Sequence, residues 1–240
     1  MANQQSLDNL YNYIQEKKAK GYSYKGTPVY DVTKSDIEKL GQIADKYGFP
    51  VEWLANLINH ESAGTFNPSI QNSIGATGLI QFMPDTARGY NTTTSQLAKL
   101  NFSEQLDYVD MYLARGLKNK KMLDESGKVI PTFNQTDLFM LIFYPVSVGD
   151  PTFAFPQKVQ NANGGIKTPM DYTQKALRNP PFSLEEFPSS LSDFLKKFGS
   201  KDAGEGTTKK KGKALFIVGS IIGLGIISFA IYKIVKMRKK

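Results

Sequence analysis

The chain has 240 residues, 40% of them hydrophobic, with no cysteine and one histidine. Such a chain is predicted to form one or two folded domains with a proper core; it excludes disulfides and thiolate chemistry, and any histidine-based metal site or Ser-His-Asp triad would rest on His60 alone. The formal charge of +8 does not describe a nucleic-acid groove, because residues 209–240 carry nine Lys or Arg and no acid, leaving 21 basic against 22 acidic residues in 1–208.

The opening MANQQSLDNL has neither a basic nor an apolar signal region, so no secretory leader is expected. Leu7, Leu10, Tyr11 and Ile14 at helical spacing predict an amphipathic helix over 7–19, and the stretch 21–32, rich in Tyr, Gly and Pro, predicts an extended connector; together they form an N-terminal unit, 1–34. Ser35 with Glu38 fits a capping box, Ile37, Leu40, Ile43 and Ala44 form an apolar stripe, and Gly48 suits a left-handed helix end. Pro50 restarts the chain as a helix whose stripe runs Leu54, Leu57, Ile58 and then Glu61. A carboxyl group on an apolar face has its charged form disfavoured and its pKa raised, as a general acid working near neutral pH requires. His60, about 100° around the same helix, is expected to be a partly exposed structural residue.

Further on, Pro84 opens a short helix, and Ser103 is expected to cap a longer one with Leu106, Val109, Leu113 and Leu117 on one face, its Asp107 and Asp110 being solvated charge. A polar loop over 118–132 precedes DLFMLIFY, capped by Thr136 and apolar on every side, which predicts a central buried helix ended by Pro145. Residues 168–177 predict another short helix, carrying Tyr172, and SLSDFLKKFG at 190–199 a small last one. No strand is signalled, so the fold class is mainly α. Residues 199–213 are a glycine-rich, charged linker. The 19 uncharged residues 214–232 predict a transmembrane helix, followed by a basic tail, 233–240. Gly219 and Gly223 within that run form a GxxxG pair.

Glu61-Ser62, the run GATGLIQFMP from Gly75 to Pro84, the buried helix ending Phe143-Tyr144, and the later TPMDY ending at Tyr172 resemble the soluble lytic transglycosylase family, relatives of goose-type lysozyme, over about residues 35–180. The resemblance implies a lysozyme-like domain, taken as 35–198, that cleaves the MurNAc-GlcNAc β-1,4 bond of peptidoglycan with formation of 1,6-anhydro-MurNAc. It implies Glu61 as the catalytic acid and Ser62 as a neighbouring hydroxyl holding the substrate or the Glu. Gly78 and Leu79 would line the sugar cleft, with glycine allowing close approach of the glycan. Gln81 would contact substrate and Met83 form an apolar wall. Tyr144 would hydrogen-bond near the Glu carboxyl, and Tyr172 would stand at the far side of the cleft. Neither metal nor cofactor is implied.

The chain departs from the family at Pro145, where an Asn is usual, so the subsite at that segment is open. Most glycosidases use two carboxylates. Only Glu61 lies on the motif, and Asp85 is explained by its place at a helix N-terminus, with a second catalytic role as the lesser alternative. Hydrolysis by water, as in goose-type lysozyme, and an inactive glycan-binding structural protein of a virion are the competing readings. The expected partners are peptidoglycan strands, a bilayer through the C-terminal helix, and other virion proteins, with no nucleic acid. A C-terminal span without a leader leads to the expectation of a phage virion with an internal membrane as the location, or otherwise a bacterial envelope.

Overall fold

A computed structural model describes residues 2–178, and these form nine α-helices and one minimal hairpin. Helix α1 (Gln4–Ala19) is capped by Asn3 and buries Leu7, Leu10 and Ile14. The connector turns back on itself as strands β1 (Ser23–Tyr24) and β2 (Thr27–Pro28), an antiparallel pair that the expectation of no strand missed. Its two-residue loop has φ of 49° at Lys25 and 82° at Gly26, the positive pair that a tight hairpin turn demands.

Helix α2 (Lys34–Tyr47) ends at Gly48 in the left-handed conformation expected of it (φ 77°), and α3 (Val51–Glu61) follows after Pro50. Short helices α4 (Pro84–Arg88) and α5 (Thr94–Leu97) lead into α6 (Phe102–Asn119). Then come α7 (Gln135–Phe143), a 3-10 turn Pro145–Ser147, α8 (Gln157–Ala162) and α9 (Pro169–Ala176). Three caps differ from expectation, each lying two residues earlier: the capping boxes are Thr33 with Asp36, Asn101 with Glu104, and Asn134 with Asp137, rather than starting at Ser35, Ser103 and Thr136.

One core joins these helices. α3 packs against α1, α2 and α7, and α7 in turn against α6 and α9. Leu10, Ile14, Leu54, Leu57, Ile58, Leu106, Val109, Leu138 and Phe139 are fully buried in it, so α1 belongs to the same core as the helices that follow residue 35. Helix α7 is buried on nearly every side, as its apolar circumference predicts. Asp107 and Asp110 are not idle surface charge: they pair with Lys39 at 2.7 Å and Lys46 at 2.6 Å, and Asp110 also accepts from the Tyr47 hydroxyl at 2.7 Å, fastening α6 to α2.

This mainly helical architecture is consistent with a lysozyme-like domain. No helix among the described residues is long and apolar enough to cross a membrane. The expected helix at 190–199, the linker, the span at 214–232 and the tail lie outside the described residues.

Candidate active site

Glu61 is the last residue of α3, partly exposed, at the end of a helix whose Leu54, Leu57 and Ile58 are fully buried. Burial pushes its carboxyl up to about 8, against a smaller opposing effect from the Tyr172 hydroxyl, which donates to Oε1 at 3.5 Å. A helix C-terminus also disfavours negative charge, so position and burial act in the same direction.

Tyr172, on α9, is buried and held by stacking on Phe143, with ring centroids 3.9 Å apart, and by edge contacts with Phe139 and His60. His60 Nε2 lies 3.1 Å from the Tyr172 hydroxyl oxygen. Burial, aided by Lys175, holds His60 down at about 4, so it is neutral across the physiological range. With Nε2 protonated, His60 donates to Tyr172 and Tyr172 to Glu61, a chain in which each bond polarises the next. His60 is partly exposed, as expected, and through Tyr172 it also adjoins the acid. Helical periodicity carries no signal for that pairing, because Tyr172 lies on a different helix.

After Glu61 the backbone makes a tight turn, with positive φ at Ala63, Gly64 and Phe66. Two of these are not glycine, a strained arrangement that persists only where its surroundings enforce it. Ser62 is part of that enforcement. It is fully buried, and its hydroxyl donates to the Ile58 carbonyl at 2.6 Å and accepts from the Phe66 N–H at 3.0 Å. Both hydrogen bonds of the Ser62 hydroxyl stay inside the protein, next to Glu61. The N-terminal connector supplies the outer brace: Tyr22 donates to the Ala63 carbonyl at 2.9 Å, the Tyr30 N–H to the Thr65 carbonyl at 2.8 Å, and the Asn67 amide to the Pro28 carbonyl at 3.0 Å.

The glycine-bracketed run forms a compact loop closed by paired backbone bonds between Thr77 and Phe82, at 3.0 and 2.8 Å. Gly78 has φ 84°, and a Cβ there would stand 2.1 Å from Gln105 Oε1. Leu79 is fully buried, and its N–H donates to the same oxygen at 2.6 Å. Gly78 thus makes room for a buried glutamine, and the Leu79 side chain belongs to the core. Gln105 itself, which patterning did not single out, is fully satisfied, with its amide donating to Pro68 at 3.0 Å and Leu97 at 2.9 Å. Gln81, Met83 and Pro84 are the partly exposed members of the run's second half, and the Gln81 amide donates to the Gly78 carbonyl at 3.1 Å, leaving its carbonyl free to accept.

The two tyrosines have different surroundings. Tyr144 ends α7 and packs its ring against Phe153 and Phe155, whereas Tyr172 is the phenol that donates to Glu61. Tyr112, on α6, lies edge-on to Phe82 and donates to the Leu141 carbonyl at 2.9 Å; burial raises its phenol, and the charges of Tyr90 and Glu61 raise it further. Asp85 is ion-paired with Arg88 one turn along α4. Among the described residues, no group of three or more His, Asp or Glu side chains is gathered as a metal ion would require.

No curated protein and no solved structure matches the chain. A family model does match it: residues 39–106 correspond to the Transglycosylase SLT domain, a span that runs from α2 into α6 and includes Glu61, the braced turn and the whole Gly75–Pro84 loop. Over that segment the chain is similar to the SLT family of the lysozyme-like superfamily, a family of peptidoglycan-degrading transglycosylases.

Proposed function

We propose that this chain is a lytic transglycosylase that cleaves the MurNAc-GlcNAc β-1,4 bond, with Glu61 as acid and then base. The observation that carries the reading is the Glu61 carboxyl, held protonated up to a pH of about 8 at the partly open end of a buried helix. Glu61 gives its proton to the glycosidic oxygen as the C1–O bond breaks, and the MurNAc acetamido oxygen stabilises the anomeric carbon. The Glu61 carboxylate, now accepting from Tyr172, takes the proton of the C6 hydroxyl. The O6–C1 bond forms, giving the 1,6-anhydro sugar and regenerating the acid. One carboxyl group suffices for both steps, and Asp85, engaged by Arg88, is not called on. Gln81 and Met83 are the loop residues assigned to substrate contact, and Tyr144 to the cleft wall. Ser62, Gly78 and Leu79 support the site from inside.

Digestion of purified murein by the wild type and Glu61→Gln, with mass spectrometry of the released fragments, tests the assignment. Anhydro products from the wild type alone are expected. Reducing ends would make it a hydrolase, and an active Glu61→Gln would overturn the role of Glu61.

The finer reading is a membrane-anchored enzyme carried in a phage particle, with the bilayer and virion proteins as further partners. It rests on the sequence alone, chiefly on the apolar run 214–232. Immunoblotting of purified particles tests it, and a protein found only in the infected-cell soluble fraction would remove it.

A further inference from the structure

A cavity of about 390 Å³ opens between α4, α6 and the end of α7, lined by Asp85, Tyr90, Tyr112, Arg115, Lys120 and Pro145 among others. Tyr112, which forms part of its wall, lies edge-on to Phe82 of the Gly75–Pro84 loop. Residues 1–208 are close to electrically neutral, with 21 basic and 22 acidic residues, yet this cavity is not. Asp85 is neutralised by Arg88, whereas no ion pair among the described residues engages Arg115 or Lys120.

Arg115 is also held in place. Its guanidinium carbon lies 5.8 Å from the Tyr90 ring centroid. The group rests against Gly89, where an added Cβ would stand 3.4 Å from Nη1. Set beside an aromatic ring and without an ion pair among the described residues, the guanidinium fork can bind a planar anion in bidentate fashion. Pro145, on the opposite wall, has no N–H to offer, so charge recognition falls to the α6 side.

We propose that this cavity is a carboxylate subsite in which Arg115, seconded by Lys120, binds an acid group carried on the 3-oxygen of a muramic sugar. The proposal rests on the peptidoglycan reading above. Two sources share that chemistry: the lactyl carboxylate of a strand stripped of peptide, and a free carboxylate of an intact stem peptide.

The test uses the full chain in detergent with Glu61→Gln, so that ligands survive, and measures Kd for three ligands by calorimetry. These are N-acetylglucosamine oligomers, which carry no carboxylate, amidase-stripped murein strands with free lactyl groups, and strands with intact stems. The expected result is tighter binding of one or both acidic ligands. Arg115→Met should weaken that binding about tenfold while leaving the neutral oligomers unchanged, and Arg115→Lys should retain part of it. The acidic ligand that loses affinity identifies the source. Equal loss for all three ligands, no loss for any, or no binding of either acidic ligand would overturn the subsite. Wild-type digestion of murein reads the parent proposal separately: no cleavage with the acidic preference intact would remove the catalytic reading alone, and cleavage unaccompanied by any effect of Arg115→Met would remove the subsite alone.

Discussion

Glu61 combines two requirements that ordinarily oppose each other, burial deep enough to keep a proton and exposure sufficient to deliver it. The end of an apolar stripe meets both, which is why helical periodicity alone singled it out. The sign of its shift fixes the pH behaviour. Activity that needs the protonated acid should hold up to about pH 8 and fall roughly tenfold per unit above it, measured as release of soluble fragments from murein. Because the Tyr172 hydroxyl stabilises the carboxylate, Tyr172→Phe should move that alkaline limb upward as well as slow the reaction; a downward move would contradict the hydrogen bond. Stability follows the same linkage. A carboxyl group whose folded pKa exceeds its unfolded value contributes stability that is complete below about 4.5 and lost as pH rises through about 8. Glu61→Gln does not titrate, so its advantage in thermal stability over the wild type should open across that window to about 2–4 kcal/mol, at ~1.4 kcal/mol per unit with some allowance for partial exposure. Melting curves at pH 5 and pH 9 would show it, and a constant difference would contradict it.

At the scale of elements, the resemblance picks out the Gly75–Pro84 loop, and the fold shows what holds that loop closed. A sequence motif shows that a glycine or leucine recurs, and it does not distinguish a side chain that touches sugar from one that closes the loop on itself. Gly78 and Leu79 serve Gln105, which lies on α6, 26 residues beyond Leu79, and no local pattern links them. The helix caps failed for a related reason. Each was assigned to the Ser or Thr nearest the apolar run, whereas the Asp or Glu that completes a capping box reaches back to a Thr or Asn two residues earlier. The loop gives a sharp prediction. Gly78→Ala places a methyl group 2.1 Å from Gln105 Oε1 on a backbone with φ 84°, so Gln105 must withdraw from the buried bonds that it makes. The loss should be about 3 kcal/mol, or roughly 6–12 °C in Tm, with cleavage falling further than stability because Gln81 shares the loop. Retention of the wild-type Tm would show that the loop does not depend on Gln105.

At the scale of the whole molecule, the N-terminal unit and the C-terminal charge differ in what the sequence could disclose. An amphipathic stripe predicted α1 but not its destination, because Leu10 and Ile14 fit any apolar surface; the packing against α2 and α3, and the brace of Tyr22 and Tyr30 on the turn after Glu61, follow from the tertiary fold. For the C-terminal region there is composition alone to argue from. Its 19 uncharged residues are bracketed by four Lys before the run and five Lys or Arg after it, so two separable forces would bind it to a bilayer. Basic clusters near anionic lipid contribute about 1 kcal/mol per residue and are screened beyond ~3 Å at 1 M salt. A span of roughly 30 Å of helix, buried in hydrocarbon, is indifferent to salt. Full-length protein reconstituted with vesicles of neutral lipid should therefore float with them, stay bound in 1 M salt, and do so equally with anionic lipid. A chain ending at residue 208 keeps the whole described core and should remain in the soluble fraction. Attachment that requires anionic lipid and is released by salt would leave charge as the sole tether and remove the span.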